Sequence, residues 1–410
     1  MYKKIINNFS YMLLIQVLNI LIPFFYYPYL IEVYGLSSYG NFVQAQVIVS
    51  IFSIFIDFGI NIGFVKLSQL NGRVDKRNLS KYIIISIIIK ITTIIISVAL
   101  ILSLSSFFEY IKAIRELVFI ILFYVIFDVF TPFWFYQVCE KLKSYTLLMF
   151  FNKISMLTFV LFFIDVNSSL SQLSILYSAS YLPATLASLI YIVYFIKKNS
   201  PLHFGFSDIV SSLKFTFNFL LSNFSSTAVS KMSSILVGTS LGSASVAVFD
   251  FIEKILTLSL TPLYLLNQAV YPVVCKKMDA RLVFNLIYFV FPSTLLYWII
   301  MYFFGSDFFQ LAFSSSSFEY PKEILILLAV VPVNSINYLL GTTYLVVFGY
   351  EKMFRKSVTF SFFFFCSILF FIKYLDLVSI NNICISIFIY YITMVLLRVL
   401  FIIMEKIGYE

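Results

Sequence analysis

Long apolar runs alternate with short polar breaks along the whole chain. A helix needs about 20 apolar residues to cross a bilayer. Twelve segments meet that requirement: 11–34, 39–66, 82–105, 117–138, 146–164, 173–196, 214–239, 244–275, 282–304, 323–348, 358–373 and 382–403. The pattern therefore predicts an all-α integral membrane protein of about twelve spans. The segment 358–373 is the weakest because it is short. Pro23, Pro28, Pro132, Pro183, Pro262 and Pro332 lie within spans. Membrane helices tolerate such prolines and commonly kink at them.

Composition agrees with that reading. The chain is 61% hydrophobic and 11% charged, with a mean hydropathy of +0.99. Soluble domains are about half apolar and about a quarter charged, so a water-soluble fold is excluded. The net charge of +9 comes without a basic helix or an aromatic-basic ribbon, so it does not point to nucleic acid. In membrane proteins, excess Lys and Arg instead mark cytoplasmic loops. With the N-terminus inside and strict alternation, inner segments hold nineteen Lys and Arg and outer loops hold four. That asymmetry predicts an N-in/C-in topology.

Other residue types narrow the chemistry. Cys139, Cys275, Cys366 and Cys384 show no pairing pattern and read as reduced and structural. His203 is the single histidine and lies in a polar linker, so neither a metal site nor a cofactor is expected. The basic start MYKKIINN leads into a run too long for a signal-peptide core and without a small-residue cleavage site, and so reads as a retained first span. No outer loop exceeds about 18 residues, which leaves no room for a periplasmic catalytic domain.

The longest connection is KKNSPLHFGFSDIVSSLK at 197–214, near the midpoint. It divides the chain into an N-terminal six-helix bundle, 1–200, and a C-terminal one, 201–410. The halves echo each other: GLSSYGNFVQA at 35–45 follows the first span and GSASVAVFDFIE at 242–253 follows the seventh. Both are tight Gly/Ser turns opening a long helix. Repeats of this kind are a common transporter plan, with the substrate site between them.

The residues at these places resemble a known family. The first span carries Asn19, Pro23, Pro28-Tyr29-Leu30, Gly35 and Tyr39-Gly40; the second carries Asp57-Phe58-Gly59 before a basic loop. The seventh and eighth read SSILVGTSLGSASVAVFDFIEKI, with Leu241-Gly242, followed by Gln268 and Pro272. This set resembles the polysaccharide-export branch of the multidrug/oligosaccharidyl-lipid/polysaccharide transporter superfamily, most closely the O-antigen flippases (Wzx type). The resemblance implies a V-shaped twelve-helix transporter of the bacterial inner (cytoplasmic) membrane, not an enzyme. It implies movement of undecaprenyl-diphosphate-linked oligosaccharide from the cytoplasmic to the periplasmic leaflet. The polymerase and chain-length machinery of the same pathway are then the expected protein partners. Two features depart from the family pattern. Val246-Ala247-Val248-Phe249 replaces the usual Val-Gly-x-Tyr turn, and Asp250 and Glu253 stand where neutral residues are usual. Lys254 matches a common basic position.

A diphosphate cargo requires fixed positive charge in a low-dielectric place, and intramembrane charges mark such sites. Lys90, Lys153, Lys231, Lys254 and Arg398 belong to no loop. Counting residues from each turn gives depth. Lys231 and Glu253 each lie 11 residues from Gly242, roughly 16 Å along their helices. Asp250 and Lys254 are i and i+4 and share a face. Asp57 and Lys90 lie 17 and 16 residues from the turn near Val74, and Asp128 and Lys153 lie 14 and 11 from Leu142. Lys231, Lys254, Lys90 and Lys153 are accordingly the candidate ligands for a diphosphate or acidic sugar. Asp57, Asp250, Glu253 and Asp128 are the candidate ion-coupling or counter-charge groups. A matched acid and base can equally serve only to fix helix register. Arg398 lies near an inner end and can snorkel to headgroups.

Most of the 50 Phe and 29 Tyr read as lipid-facing packing, with Tyr26, Tyr27 and Tyr29 free to stack on sugars. Asn19, Gln44, Gln46, Asn61, Asn218, Asn223 and Ser225–Thr227 can bond sugar hydroxyls or neighbouring helices. The leading expectation is a lipid-linked oligosaccharide flippase working by alternating access, with H⁺ or Na⁺ coupling open. The second is a cation-coupled multidrug exporter, which calls for acid-dominated sites without lysine. A membrane polysaccharide polymerase is a distant third.

Overall fold

The computed structural model describes residues 2–69, 75–199, 203–313 and 322–408. Within them, the side chains of 2–9, 12, 16, 20, 24, 69, 218, 221–226, 268–269, 272, 275–277, 308–313 and 405–408 lie outside the described set. Among the residues singled out in the sequence, the side chains of Lys3, Lys4, Arg73, Val74, Pro201, Asn218, Asn223, Ser225, Ser226, Gln268, Pro272, Cys275, Lys276, Lys277 and Lys406 thus lie outside it.

The described chain is helical, with no strand, and every expected span falls on helix. The first span, its turn and most of the second form α1, Tyr2–Asp57, continued by α2, Ile60–Gln69. The next four spans comprise α3 (Lys76–Phe107), α4 (Glu109–Ala113), α5 (Arg115–Val129), α6 (Phe133–Val138), α7 (Leu142–Phe163), α8 (Leu170–Ala179) and α9 (Leu182–Asn199). Then come α10 (Phe206–Leu241), α11 (Ser243–Lys277), α12 (Ala280–Phe313), α13 (Glu323–Leu328) and α14 (Val330–Tyr338). A π-helical turn, Leu339–Val346, leads to α15 (Glu351–Tyr374) and α16 (Ile380–Gly408). Among the described residues nine stretches are long and apolar enough to cross a membrane, and the first of them, Leu13–Ser68, holds two expected spans. The seventh and eighth expected spans are α10 and α11. The chain is a multi-pass membrane protein. Its weakest expected span is a full 24-residue helix, because helix begins at Glu351, within the basic segment before the apolar run.

The prolines act as expected at several breaks. Pro132 separates α5 from α6, Pro183 sits in the first turn of α9, and Pro332 in the first turn of α14. Pro292, inside α12, is a further interior proline.

The two Gly/Ser turns share one backbone conformation. Gly35 has φ 72° and ψ 163°; Gly242 has φ 86° and ψ 176°. That region is essentially open only to glycine. Space does not restrict either residue, since nothing lies within 4 Å of a Cβ added there.

By internal contacts the chain forms two compact units, Met1–Lys231 and Met232–Glu410, dividing within α10. In the first unit the spans are registered by side chains on carbonyls. Tyr29 Oη donates to the Ile164 carbonyl at 2.6 Å, Tyr34 Oη to Ser169 at 3.3 Å, and Thr146 Oγ1 to Tyr11 at 3.4 Å. All three pairs differ by 135 residues, so α1 and α7 run parallel in one register. Ser178, Thr185 and Ser188 donate to the carbonyls of Ile120, Phe127 and Phe130, each with an offset of 58. That fixes α8 and α9 along α5. Lipid offers no hydrophobic drive between helices, so interhelical hydrogen bonds and close packing carry this job. Tyr27, 1% exposed, packs edge-on to Tyr39. Tyr27 is therefore a packing residue, a correction to the expectation that it stacks on sugars, and the Tyr29 hydroxyl registers α1 on α7.

In the second unit Arg398 is 4% exposed. Its Nη1 donates to the Asn337 carbonyl, its Nε lies 3.3 Å from Ser357 Oγ, and its guanidinium covers the Phe354 ring at 5.0 Å. Arg398 does not snorkel. It binds α16 to α14 and α15 through these interior partners.

Replacing Gly35 or Gly242 by Ala is expected to cost about 1–3 kcal/mol through backbone strain. Thermal unfolding of the detergent-solubilised chain should show both variants melting earlier. Gly205→Ala, whose added Cβ would meet only Ser207 Oγ at 3.9 Å, should leave the midpoint unmoved.

Candidate functional site

The second span is interrupted at Asp57-Phe58-Gly59. Phe58 and Gly59 take left-handed φ values of 47° and 70°, ending α1 and starting α2. Gly59 is required twice. A Cβ there would also lie 2.6 Å from both Leu220 N and Thr216 O, and one on Gly63 2.6 Å from Thr216 Cγ2. The two glycines thus let α10 rest against the start of α2.

The interruption turns Asp57 toward the first turn of α2. Asn61 Nδ2 donates to Asp57 Oδ1 at 2.7 Å, and the Asn61 amide lies 3.5 Å from Oδ2. A helix N-terminus favours a carboxylate. Asn61 Oδ1 in turn faces the Trp134 amide, at 3.4 Å, at the start of α6. From α3, the Lys90 ammonium lies 3.3 Å from Asp57 Oδ1, and Lys90 is only 3% exposed. Thr93 on α3 donates to the Ile56 carbonyl at 3.2 Å, tying α3 to the end of α1.

Asp57, Asn61 and Lys90 line a cavity of about 360 Å³ within the first unit. Asp128, from the end of α5, lines it too, with Ser53, Tyr124, Tyr181 and Thr227. Thr131 Oγ1 lies 3.3 Å from Asp128 Oδ1. Lys90 and Asp57 are both within electrostatic reach of Asp128. Tyr124 and Tyr181 form an adjoining aromatic wall, with ring centroids 5.1 Å apart.

The residues singled out in the sequence divide into groups. Asp57, Lys90 and Asp128 come together in one cavity. Lys153, on α7, is not among the residues lining it. Depth counting sets Asp128 opposite Lys153, and between Asp128 and Leu142 the chain breaks at Phe130–Pro132. Asp250 and Lys254 form an i,i+4 ion pair along α11. Glu253 lies on the same stretch of α11, where its carbonyl accepts from Thr257 Oγ1 at 2.8 Å. Lys231, on α10, is the last residue of the first unit. Asn61 and Thr131 are site residues whose role the sequence leaves open or misses. Asn61 is visible in the sequence as a polar residue within a span, and its i+4 spacing from Asp57 is the sign of its partner.

At the inner ends, Lys81 Nζ pairs with Asp208 Oδ1 at 2.8 Å, and the Gly205 amide donates to Oδ2 at 2.9 Å. These contacts hold the Asp208 carboxyl below the usual carboxylate range. They fasten the start of α10 to α3.

The described lining of the cavity holds two carboxylates and one ammonium. One lysine compensates one acid. The second acid requires a proton or a small cation when the cavity is closed to water, since uncompensated charge in hydrocarbon costs several kcal/mol.

A family model described as a polysaccharide biosynthesis protein matches residues 5–278, more than half of the chain. The chain belongs to the polysaccharide biosynthesis protein family. No curated protein matches this polysaccharide biosynthesis protein in sequence. Solved structures match its fold over nearly its whole length. An inward-facing multidrug resistance MATE family transporter of the MOP superfamily aligns with TM-score 0.73 at 14% identity, covering 96% of this chain and 98% of that one. A MOP superfamily transporter from Pyrococcus furiosus, described as having a binding pocket of reversed polarity, gives TM-score 0.65 at 14% identity, with 98% and 95% covered. A MATE bound to MaL6 gives TM-score 0.65 at 16% identity, with 98% and 96% covered. The fold of this family member is thus that of MOP superfamily transporters.

Removing Asp57 while leaving Lys90 should strand a buried charge at a cost of about 3–5 kcal/mol. A double-mutant cycle on thermal stability should show Asp57→Ala strongly destabilised and Asp57→Ala/Lys90→Met largely recovered. Additive single effects would mean that the pair is not coupled.

Proposed function

We propose that this protein is a flippase that moves undecaprenyl-diphosphate-linked oligosaccharide from the cytoplasmic to the periplasmic leaflet of a bacterial inner membrane. The observation that carries the reading is the conjunction of a polysaccharide biosynthesis family match with the fold of a membrane transporter. In this proposal residues 1–200 rock against 201–410 in alternating access. Lys231 and Lys254, with Lys90 and Lys153, attract the diphosphate or acidic sugars. Asp57 and Asp128 take up a proton or Na⁺, and Asp250 and Glu253 modulate the charge around Lys254. In the resting pair Asp250 already neutralises Lys254, so cargo binding requires that pair to open or Asp250 to be protonated.

Lys90 in the cavity supports this reading over a cation-coupled drug exporter, for which a site without lysine is expected, while the two acids beside it suit either. Dye efflux without a glycan phenotype would support the exporter.

Complementation of a flippase-null strain provides the test, with surface polysaccharide as the readout. The wild-type gene should restore it, and Lys231→Ala and Lys254→Ala should each fall well short. Full restoration by both variants would sink the charged-site assignment. Asp128→Asn should lower export by about tenfold and remove its response to the ion gradient, in the range of typical coupling energies. An unchanged gradient response would remove Asp128 from the coupling role.

A further inference from the structure

The second unit carries an open groove of about 700 Å³ between α15 and α16. Its two ends differ chemically. Lys352, Arg355 and Lys356 line one end, all in the first two turns of α15. Their i, i+3, i+4 spacing places the three cations on one helix face. Phe360, Phe363 and, from α16, Leu397 and Phe401 line the remainder, and no acid is among the described lining residues. Phe360 and Phe363 are 58% and 64% exposed, so the aromatic wall is uncovered within this chain.

Position in the membrane makes this asymmetry meaningful. The positive-inside pattern sets the start of α15 at the cytoplasmic surface. Phe363 lies seven residues beyond Lys356, about 10 Å deeper. The cations therefore stand at headgroup level and the aromatic wall at acyl depth. Topology alone explains basic residues in this loop, but it does not require three of them to share the face of a lipid-open groove. Cations in the first turns of a helix also oppose its dipole, and only Glu351 offsets them locally. Behind the groove, Arg398 joins α16 to α14 and to Ser357 of α15, so the two walls are held in fixed relation.

We propose that this groove binds the diphosphate head and the first isoprenoid units of the lipid carrier at the cytoplasmic leaflet, as a docking site ahead of translocation. The proposal rests on the flippase reading and names where its substrate enters. Charge selects the occupant. Three cations match a diphosphate diester with two negative charges better than a phosphodiester with one. A free phosphate would leave the aromatic wall uncovered.

The full chain, purified in detergent, is to be examined by native mass spectrometry with undecaprenyl diphosphate, phosphatidylglycerol and inorganic diphosphate as separate probes. Undecaprenyl diphosphate should be retained, phosphatidylglycerol should displace it only in large excess, and inorganic diphosphate should not compete at equal concentration. Lys352→Gln/Arg355→Gln/Lys356→Gln should bind about a hundredfold more weakly, at roughly fivefold per juxtamembrane cation. Thr359→Trp, which fills the groove and leaves the charges intact, should also weaken binding and covers the case in which the triple variant misinserts. Displacement by equimolar phosphatidylglycerol, or undiminished binding by Thr359→Trp, would overturn the proposal. Glycan export separates this outcome from failure of the flippase reading. If wild type restores export and Thr359→Trp neither binds less nor exports less, docking fails alone. If wild type binds the carrier yet restores no export, the flippase reading fails and the docking site stands.

Discussion

An ionised side chain inside a bilayer must meet an opposite charge or oriented dipoles, and the interruption at Asp57–Gly59 is where this chain meets that demand. A continuous helix would direct Asp57 away from any amide. Two left-handed residues instead end α1 and open α2 at the carboxylate, and Lys90 supplies the counter-charge from α3. The same glycine that permits the break lets α10 approach α2. Charge placement and helix packing therefore depend on one local backbone event. Asp128 then enters a cavity in which the Lys90 ammonium is already engaged by Asp57.

The frame around the cavity is held by polar contacts more than by apolar ones. Helix pairs with constant offsets of 135 and 58 residues carry tyrosine, serine and threonine hydroxyls on facing carbonyls. Each such bond is modest, about 1 kcal/mol in membrane, but repetition at one offset excludes a register slip. Apolar side chains cannot do this in lipid, because leaving a neighbour for a lipid tail costs them little. The second unit meets its interior charge differently. Arg398 uses a carbonyl, a hydroxyl and an aromatic face and has no acid among its described partners. Close by, Asn267 bonds both Thr342 and Thr343 of the π-helical turn. Such turns often occur at functional sites.

Legibility in the sequence differs from one charge to another for physical reasons. Residue count matches Asp57 to Lys90, and the two do form an ion pair between α1 and α3. Asp128, which the count sets opposite Lys153, lines the cavity of Asp57 and Lys90. Arg398 has the position of a snorkelling residue, and nothing in the one-dimensional pattern reveals the Asn337 carbonyl opposite it. Tyr27 offers sugar-stacking chemistry by type, and its ring is buried edge-on against Tyr39.

The sequence by itself determined the spans, their orientation and the membrane environment, because hydrocarbon thickness and loop charge act on segments one at a time. It also determined where the backbone must turn, since Gly35 and Gly242 take conformations that other residues avoid. Only the tertiary structure decided which charges share a cavity, which hydroxyls register which helices, and which basic face opens onto an apolar groove. Those outcomes depend on helix rotation and on breaks within spans, and both are set by contacts between segments distant in sequence.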